Sequence, residues 1–152
     1  MTLPTIVFIP GAFAHPSCFD SIATLLQRSN YPTTYAPYPS LNPSDPSTAS
    51  VSTDVSEVRK NFLLPLIEEQ GKDVVVFAHS FGGVVAGGAA AGLCKTTRRK
   101  RNEEGGVIGL IYLVGGIVGE GERFLDVVGG AYPPFIKEGN VSYPPLPSHL
   151  FT

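Results

Sequence analysis

Val74-Val75-Val76-Phe77-Ala78-His79-Ser80-Phe81-Gly82-Gly83-Val84-Val85-Ala86 is the stretch that decides how this chain folds. A continuous valine-rich run stops at a serine bracketed by small residues, then resumes as helix-compatible glycines, valines and alanines. Strand, sharp turn and helix follow one another with Ser80 at the apex, the nucleophile-elbow pattern usually written Gly-x-Ser-x-Gly. Its small residues answer a steric demand, because the strand and helix backbones nearly touch on either side of the serine. Ala78 stands where the first glycine usually sits and Gly82 keeps the second; the turn accommodates one added methyl.

Working outward, Thr5-Ile6-Val7-Phe8-Ile9 is a short, continuously apolar run ended by Pro10-Gly11. Such a run fits a strand buried on both faces, as parallel sheets require. Phe19 to Gln27 carries one apolar helical face (Phe19, Ile22, Ala23, Leu25, Leu26), with Ser17 as its expected N-cap. Thr33 to Tyr38 reads as a weaker strand and Pro39 to Ser52 as a loop. Thr53 to Gln70 is helical in pattern, with Pro65 expected to kink or split it. Asp73 to Ala78 is the third strand, Phe81 to Leu93 the helix after the elbow, and Val107 to Val114 the fourth strand.

Strands alternating with helices imply an α/β fold, a three-layer αβα arrangement around an open parallel sheet. The expected strand order is second, first, third, fourth, with right-handed crossovers placing helices on both faces. At 152 residues the chain supports one domain, its core reaching to about residue 120. Residues 121–152 read as the start of a cap or an irregular tail, with a helix over Gly121 to Val128.

A net charge of -2 offers no reason to expect nucleic acid or an anionic membrane as partner. Lys95-Thr96-Thr97-Arg98-Arg99-Lys100-Arg101 resembles a nucleic-acid or nuclear-localisation patch, but reads more simply as a solvated helix end. Glu103 and Glu104 follow it and cancel part of its field. Cys18 and Cys94 are too few for a disulfide framework and read as reduced thiols. The N-terminus lacks a basic signal-peptide region, and no stretch approaches the ~18 apolar residues of a membrane span, so a cytoplasmic location is the expectation.

The chemistry starts from Ser80, a weak nucleophile unless a base, an orienting acid and oxyanion donors surround it. One donor is expected from the backbone N–H of Phe81, at a helix N-terminus that favours negative charge. The second is expected from the loop after the first strand, Ile9-Pro10-Gly11-Ala12-Phe13, with the N–H of Ala12 as candidate. The same Pro-Gly would also serve a plain strand-to-helix turn. Phe13 and His15, on that loop, are candidate pocket residues; an ordinary half-exposed loop histidine is the simpler account of His15. His79 precedes the serine, so strand alternation points it away, and it reads as a packing residue.

Pro10-Gly11-Ala12, Cys18-Phe19, Leu25-Leu26, Leu64-Pro65-Leu66 and Asp73-Val74-Val75-Val76 through Gly83 resemble the first segment of α/β-hydrolase-fold proteins. Within that fold the chain is most similar to the esterase and hydroxynitrile-lyase branch and its fungal relatives. It departs from the branch at Pro10, where a histidine is usual, and at Ala78. Gly109 to Val114 and Gly119-Glu120-Gly121-Glu122 also resemble the branch just before its cap. The resemblance implies ester hydrolysis through a serine nucleophile, a small ester-like substrate, and no metal or organic cofactor.

It also implies an acid and a histidine on loops after later strands. Asp126 and His149 follow Ser80 in the required order, but Asp126 falls in an expected helix and no strand leads into His149. Ser80–Asp126–His149 is therefore set aside as a triad, and the chain is expected to represent the N-terminal portion of such an enzyme. Two alternatives stand beside it. One is a non-catalytic remnant that binds a small ligand or partner, or associates with itself, through the apolar edge of the fourth strand. The other, a Rossmann-type nucleotide binder, lacks the Gly-x-Gly-x-x-Gly it needs after the first strand.

Overall fold

The computed structural model describes residues 2–131. A parallel sheet of four strands runs β2-β1-β3-β4, the expected order. The strands are β1 (Thr5–Ile9), β2 (Thr33–Tyr35), β3 (Asp73–His79) and β4 (Gly106–Leu113). Between them lie α1 (Asp20–Arg28), α2 (Val51–Val58), α3 (Gly82–Ala90) and α4 (Lys95–Arg99); α5 (Phe124–Val127) follows β4.

Alternation along β1 and β3 sorts the core into two layers. Val7, Ile9, Val74, Val76 and Ala78 face Val58, Leu63, Ile67, Val85 and Ala89 from the helices on one side. Ile6 and Phe8 face Phe19 and Ala23 on the other, with Val75 and Phe77 packed beside them. Phe8 stacks on Phe19 at 4.8 Å, and Phe77 meets Phe19 edge-on at 5.8 Å. Both faces of the central strands are thus covered, which explains why their sequences are runs rather than alternations.

The differences from the sequence expectations have local causes. β2 ends at Tyr35, not Tyr38: the Ala36 amide still donates to the Phe8 carbonyl, but Pro37 has no N–H to continue the ladder. Ser17 does not cap α1. It lies inside a 3₁₀ turn, Pro16–Phe19, whose own cap is His15, the Nδ1 of which accepts the Ser17 amide at 3.3 Å. α2 begins at Val51, where Ser50 and Thr53 form a reciprocal capping box. Beyond Val58 the helix is not split at Pro65; it widens into π-type turns over Arg59–Leu63 and Pro65–Glu69. The wider turns accommodate a residue that cannot donate to the usual ladder.

α3 stops at Ala90 because Ala91 leaves helical geometry (ψ 127°) and Gly92 turns left-handed. β4 stops at Leu113 because Val114 has φ 48°. The helix expected over Gly121 to Val128 is shorter, Phe124–Val127. The basic run is not merely a solvated helix end. It forms α4 itself, and Arg98 is 5% exposed, donating to the carbonyls of Glu104 and Gly105 and pairing with Glu68 and Glu103. Lys95 pairs with Asp73 and Arg101 with Glu103, so these cations are engaged within the fold. Cys18 and Cys94 are free and exposed. Among the described residues no helix is long and apolar enough to cross a membrane.

Candidate active site

Ser80 sits between the C-terminal end of β3 and the first residue pair of α3 with φ 51°. A left-handed backbone costs a non-glycine residue roughly 1–2 kcal/mol, so the surroundings must hold it. They do so through the main chain: the Ser80 amide donates to the Leu113 carbonyl at 3.1 Å. The Ser80 carbonyl accepts the Gly83 and Gly116 amides, each at 2.9 Å. The segment after β4 thus braces the turn as well as α3. The hydroxyl-bearing residue itself is half-buried.

This geometry gives a stability test. Ser80→Gly should unfold at a higher temperature than Ser80→Ala, which loses the same hydroxyl but keeps the strain. The gap should be about 0.5–1 kcal/mol after the flexibility of unfolded glycine is allowed for. That amounts to roughly 2–4 °C per kcal/mol for a domain of this size. Equal melting temperatures would mean the turn is relaxed.

The first loop lies against the elbow. A Cβ built on Gly11 would stand 2.8 Å from His79 Nδ1 and 3.0 Å from Ser80 Cβ, so any side chain here would have to displace His79. On the other side, a Cβ on Gly82 would stand 2.4 Å from the Pro10 carbonyl oxygen and 2.7 Å from that of Ile9. Gly11 and Gly82 are therefore paired surfaces, one on each backbone. The loop then turns sharply: the Ala14 amide donates to the Gly11 carbonyl at 3.2 Å, and Phe13 adopts φ 63°. Neither the Ala12 nor the Phe81 amide has a hydrogen-bond acceptor among the described residues.

An aromatic chain runs along the same side. Tyr38 and Phe81 have ring centroids 6.2 Å apart, and Phe124 of α5 meets Phe81 edge-on at 5.7 Å. Gly116 makes room for that contact, since a Cβ there would lie 2.6 Å from Phe124 Cε2. Phe13 is 62% exposed beside the loop, and His15 is exposed with its Nδ1 2.9 Å from Ser17 Oγ. His79 packs against Gly11. Asp126 lies in α5, 3.9 Å from the Arg123 guanidinium. His149 lies outside the described residues.

Sequence reading missed Tyr38, whose hydroxyl donates to the Pro10 carbonyl at 2.9 Å, and Asp54, fully buried beneath it. An aspartate on the apolar side of a helical pattern, two positions before Ser56, was the available signal.

The sequence profile of the Alpha/beta hydrolase family matches residues 6–151. The chain belongs to that family. An alpha/beta hydrolase from Aspergillus novofumigatus (nvfD) is 30% identical over 146 residues, covering 93% of this chain and 56% of that protein. Probable hydrolase R7 from a Phoma species is 28% identical over 143 residues, covering 94% and 52%. The chain thus spans about half the length of these curated relatives. Tomato methylketone synthase I, solved with 2-tridecanone, superposes with a TM-score of 0.61 at 17% identity, over 95% of this chain and 55% of that one. At that identity the likeness concerns the fold.

Proposed function

We propose that Ser80 is the nucleophile of an ester-hydrolysing site whose oxyanion hole is formed by the amides of Ala12 and Phe81. The observation that carries this reading is the φ of 51° at Ser80, on a turn flanked by Gly11 and Gly82 and braced from β4. In this reading the Ser80 Oγ attacks the ester carbonyl and its proton passes to a base. The carbonyl oxygen becomes an oxyanion held by the two amides. Collapse expels the alcohol, which takes the proton, and water then releases the acid from the acyl-enzyme. This chemistry needs no metal or organic cofactor. Phe81 and Phe124, with Phe13 and His15 on the first loop, favour a small ester-like substrate with an apolar portion.

A second reading rests on β4. Among the described residues it is the last strand of the sheet, bridged on its outer edge by Cys94 at Val107, and Ile108, Leu110, Ile111 and Leu113 along it are each at least 38% exposed. An apolar strand edge that is open beyond that bridge suits pairing with a partner or a second copy of the chain. In that reading the chain is a non-catalytic domain and Ser80 is inert.

A fluorophosphonate separates the two. Under the first, the purified chain takes up one phosphonyl group, located on Ser80 by peptide mass mapping, and Ser80→Ala takes up none. Uptake that is absent, or that persists unchanged in Ser80→Ala, would remove the nucleophile assignment and leave the second reading.

A further inference from the structure

The carbonyl of Pro10 lies just past the end of β1, where no ladder partner continues, yet it is buried against the first turn of α3. Its hydrogen-bond donor comes from 28 residues away: the Tyr38 hydroxyl, at 2.9 Å, from a side chain only 4% exposed. The oxygen is thereby clamped between the phenol and Gly82. Fixing that oxygen fixes the plane of the Pro10–Gly11 peptide, and so the direction from which Gly11 and Ala12 reach the elbow.

Tyr38 is itself held. Asp54 in α2, fully buried, accepts the Ser40 amide at 2.9 Å and the Ser40 hydroxyl at 2.6 Å, two residues beyond the tyrosine. Burial, and secondarily the charge of Asp54, hold the phenol well above its ordinary pKa, so it stays a donor throughout neutral and moderately alkaline conditions. The ring also abuts Phe81, on the other side of the proposed oxyanion site. A continuous set of contacts therefore runs from α2 through Ser40 and Tyr38 to the loop that faces Ser80.

We propose that Tyr38 is a positioning residue: its hydroxyl, braced by Asp54 through Ser40, sets the first loop so that the Ala12 amide faces Ser80. The inference deepens the reading of Ser80 and Ala12 above and depends on it for its catalytic meaning. Tyr38→Phe keeps the ring and its packing and removes only the hydroxyl. Tyr35→Phe is the matched control, because Tyr35 donates to Asp20 (2.7 Å), away from the loop.

The test uses the full chain and a fluorophosphonate. Tyr38→Phe should slow the maximal rate of Ser80 phosphonylation roughly tenfold, a fraction of the ~10²–10³ lost when an oxyanion donor is removed outright. The concentration giving half-maximal rate should stay within about twofold, since uniform binding is untouched. In the same variant the NMR resonances of the Pro10 carbonyl and the Gly11 and Ala12 amides should move, and Tyr35→Phe should change neither readout. A wild-type labelling rate in Tyr38→Phe, or loop resonances that stay in place, overturns the proposal. If the wild type is not labelled at all, the nucleophile reading fails, and the loop resonances alone decide whether Tyr38 sets the loop. Should Tyr38→Phe fail to fold, the wild-type protein must show a slowly exchanging Tyr38 hydroxyl proton with cross-peaks to Gly11; its absence sinks the idea.

Discussion

Gly82→Ala should destabilise the protein by about 3 kcal/mol, the upper end of what overpacking costs, while Gly87→Ala in the same helix should stabilise it by about 0.5–1 kcal/mol. The contrast isolates geometry from helix propensity, which favours alanine at both sites. At Gly87 an added methyl meets only the Tyr112 hydroxyl, at an ordinary 3.6 Å. At Gly82 it meets two main-chain oxygens, at 2.4 and 2.7 Å. These main-chain atoms of Ile9 and Pro10 cannot rotate out of the way as a side chain does. Either α3 lifts from the sheet, losing the burial of Val85, Ala86 and Ala89, or the first loop is pushed off Ser80. With total stabilities of roughly 5–15 kcal/mol, a loss of 3 is a large share. Urea unfolding should show it as a midpoint lowered by roughly 1–3 M. A Gly82→Ala midpoint at or above wild type would mean that the close approach of elbow and loop is not obligatory.

That contact also shows how far the sequence could be read. The small residues at 82 and 83 announce a close approach, and the valine runs announce a sheet covered on both faces. Local pattern suffices there because each residue's role depends on its own strand or helix. It fails where the determinant is a partner distant in sequence. The basic run does not itself mark Arg98 as its buried member; Glu68, 30 residues away and brought alongside by the fold, does so. Tyr38 looked like part of a strand, and its function as a donor exists only because β1 places the Pro10 carbonyl above it. Ser17 had the right chemistry for a cap, but Pro16 begins the turn one residue earlier and hands the role to His15. The bracing of Ser80 by Gly116 was likewise beyond local pattern, since that amide arrives from the far side of β4.

Tested alone on a short-chain nitrophenyl ester, the 152-residue chain should show only slow turnover, and Ser80→Ala should reduce it to background. The two halves of the catalytic requirement are unequally met by the described residues. The amides of Ala12 and Phe81 have no acceptor among the described residues, and as the proposed oxyanion donors they would need no proton transfer. A base is another matter. His79 packs against Gly11, and His15 is exposed and associated with Ser17. Without a base Ser80 stays protonated, its attack is slow, and nothing donates a proton to the departing alcohol. In the best-studied triad enzyme, loss of its members leaves ~10³–10⁴-fold catalysis over water from oxyanion stabilisation and binding. That enzyme keeps an otherwise intact site, so less is expected here. The decisive comparison adds His149→Ala and His15→Ala. If turnover is feeble in the wild type and unchanged in both, the oxyanion half of the site acts by itself. Brisk, Ser80-dependent turnover abolished by His149→Ala would instead make His149 the base, with Asp126 the acid to test beside it. Brisk turnover lost only in His15→Ala would move the base onto the first loop, beside Phe13.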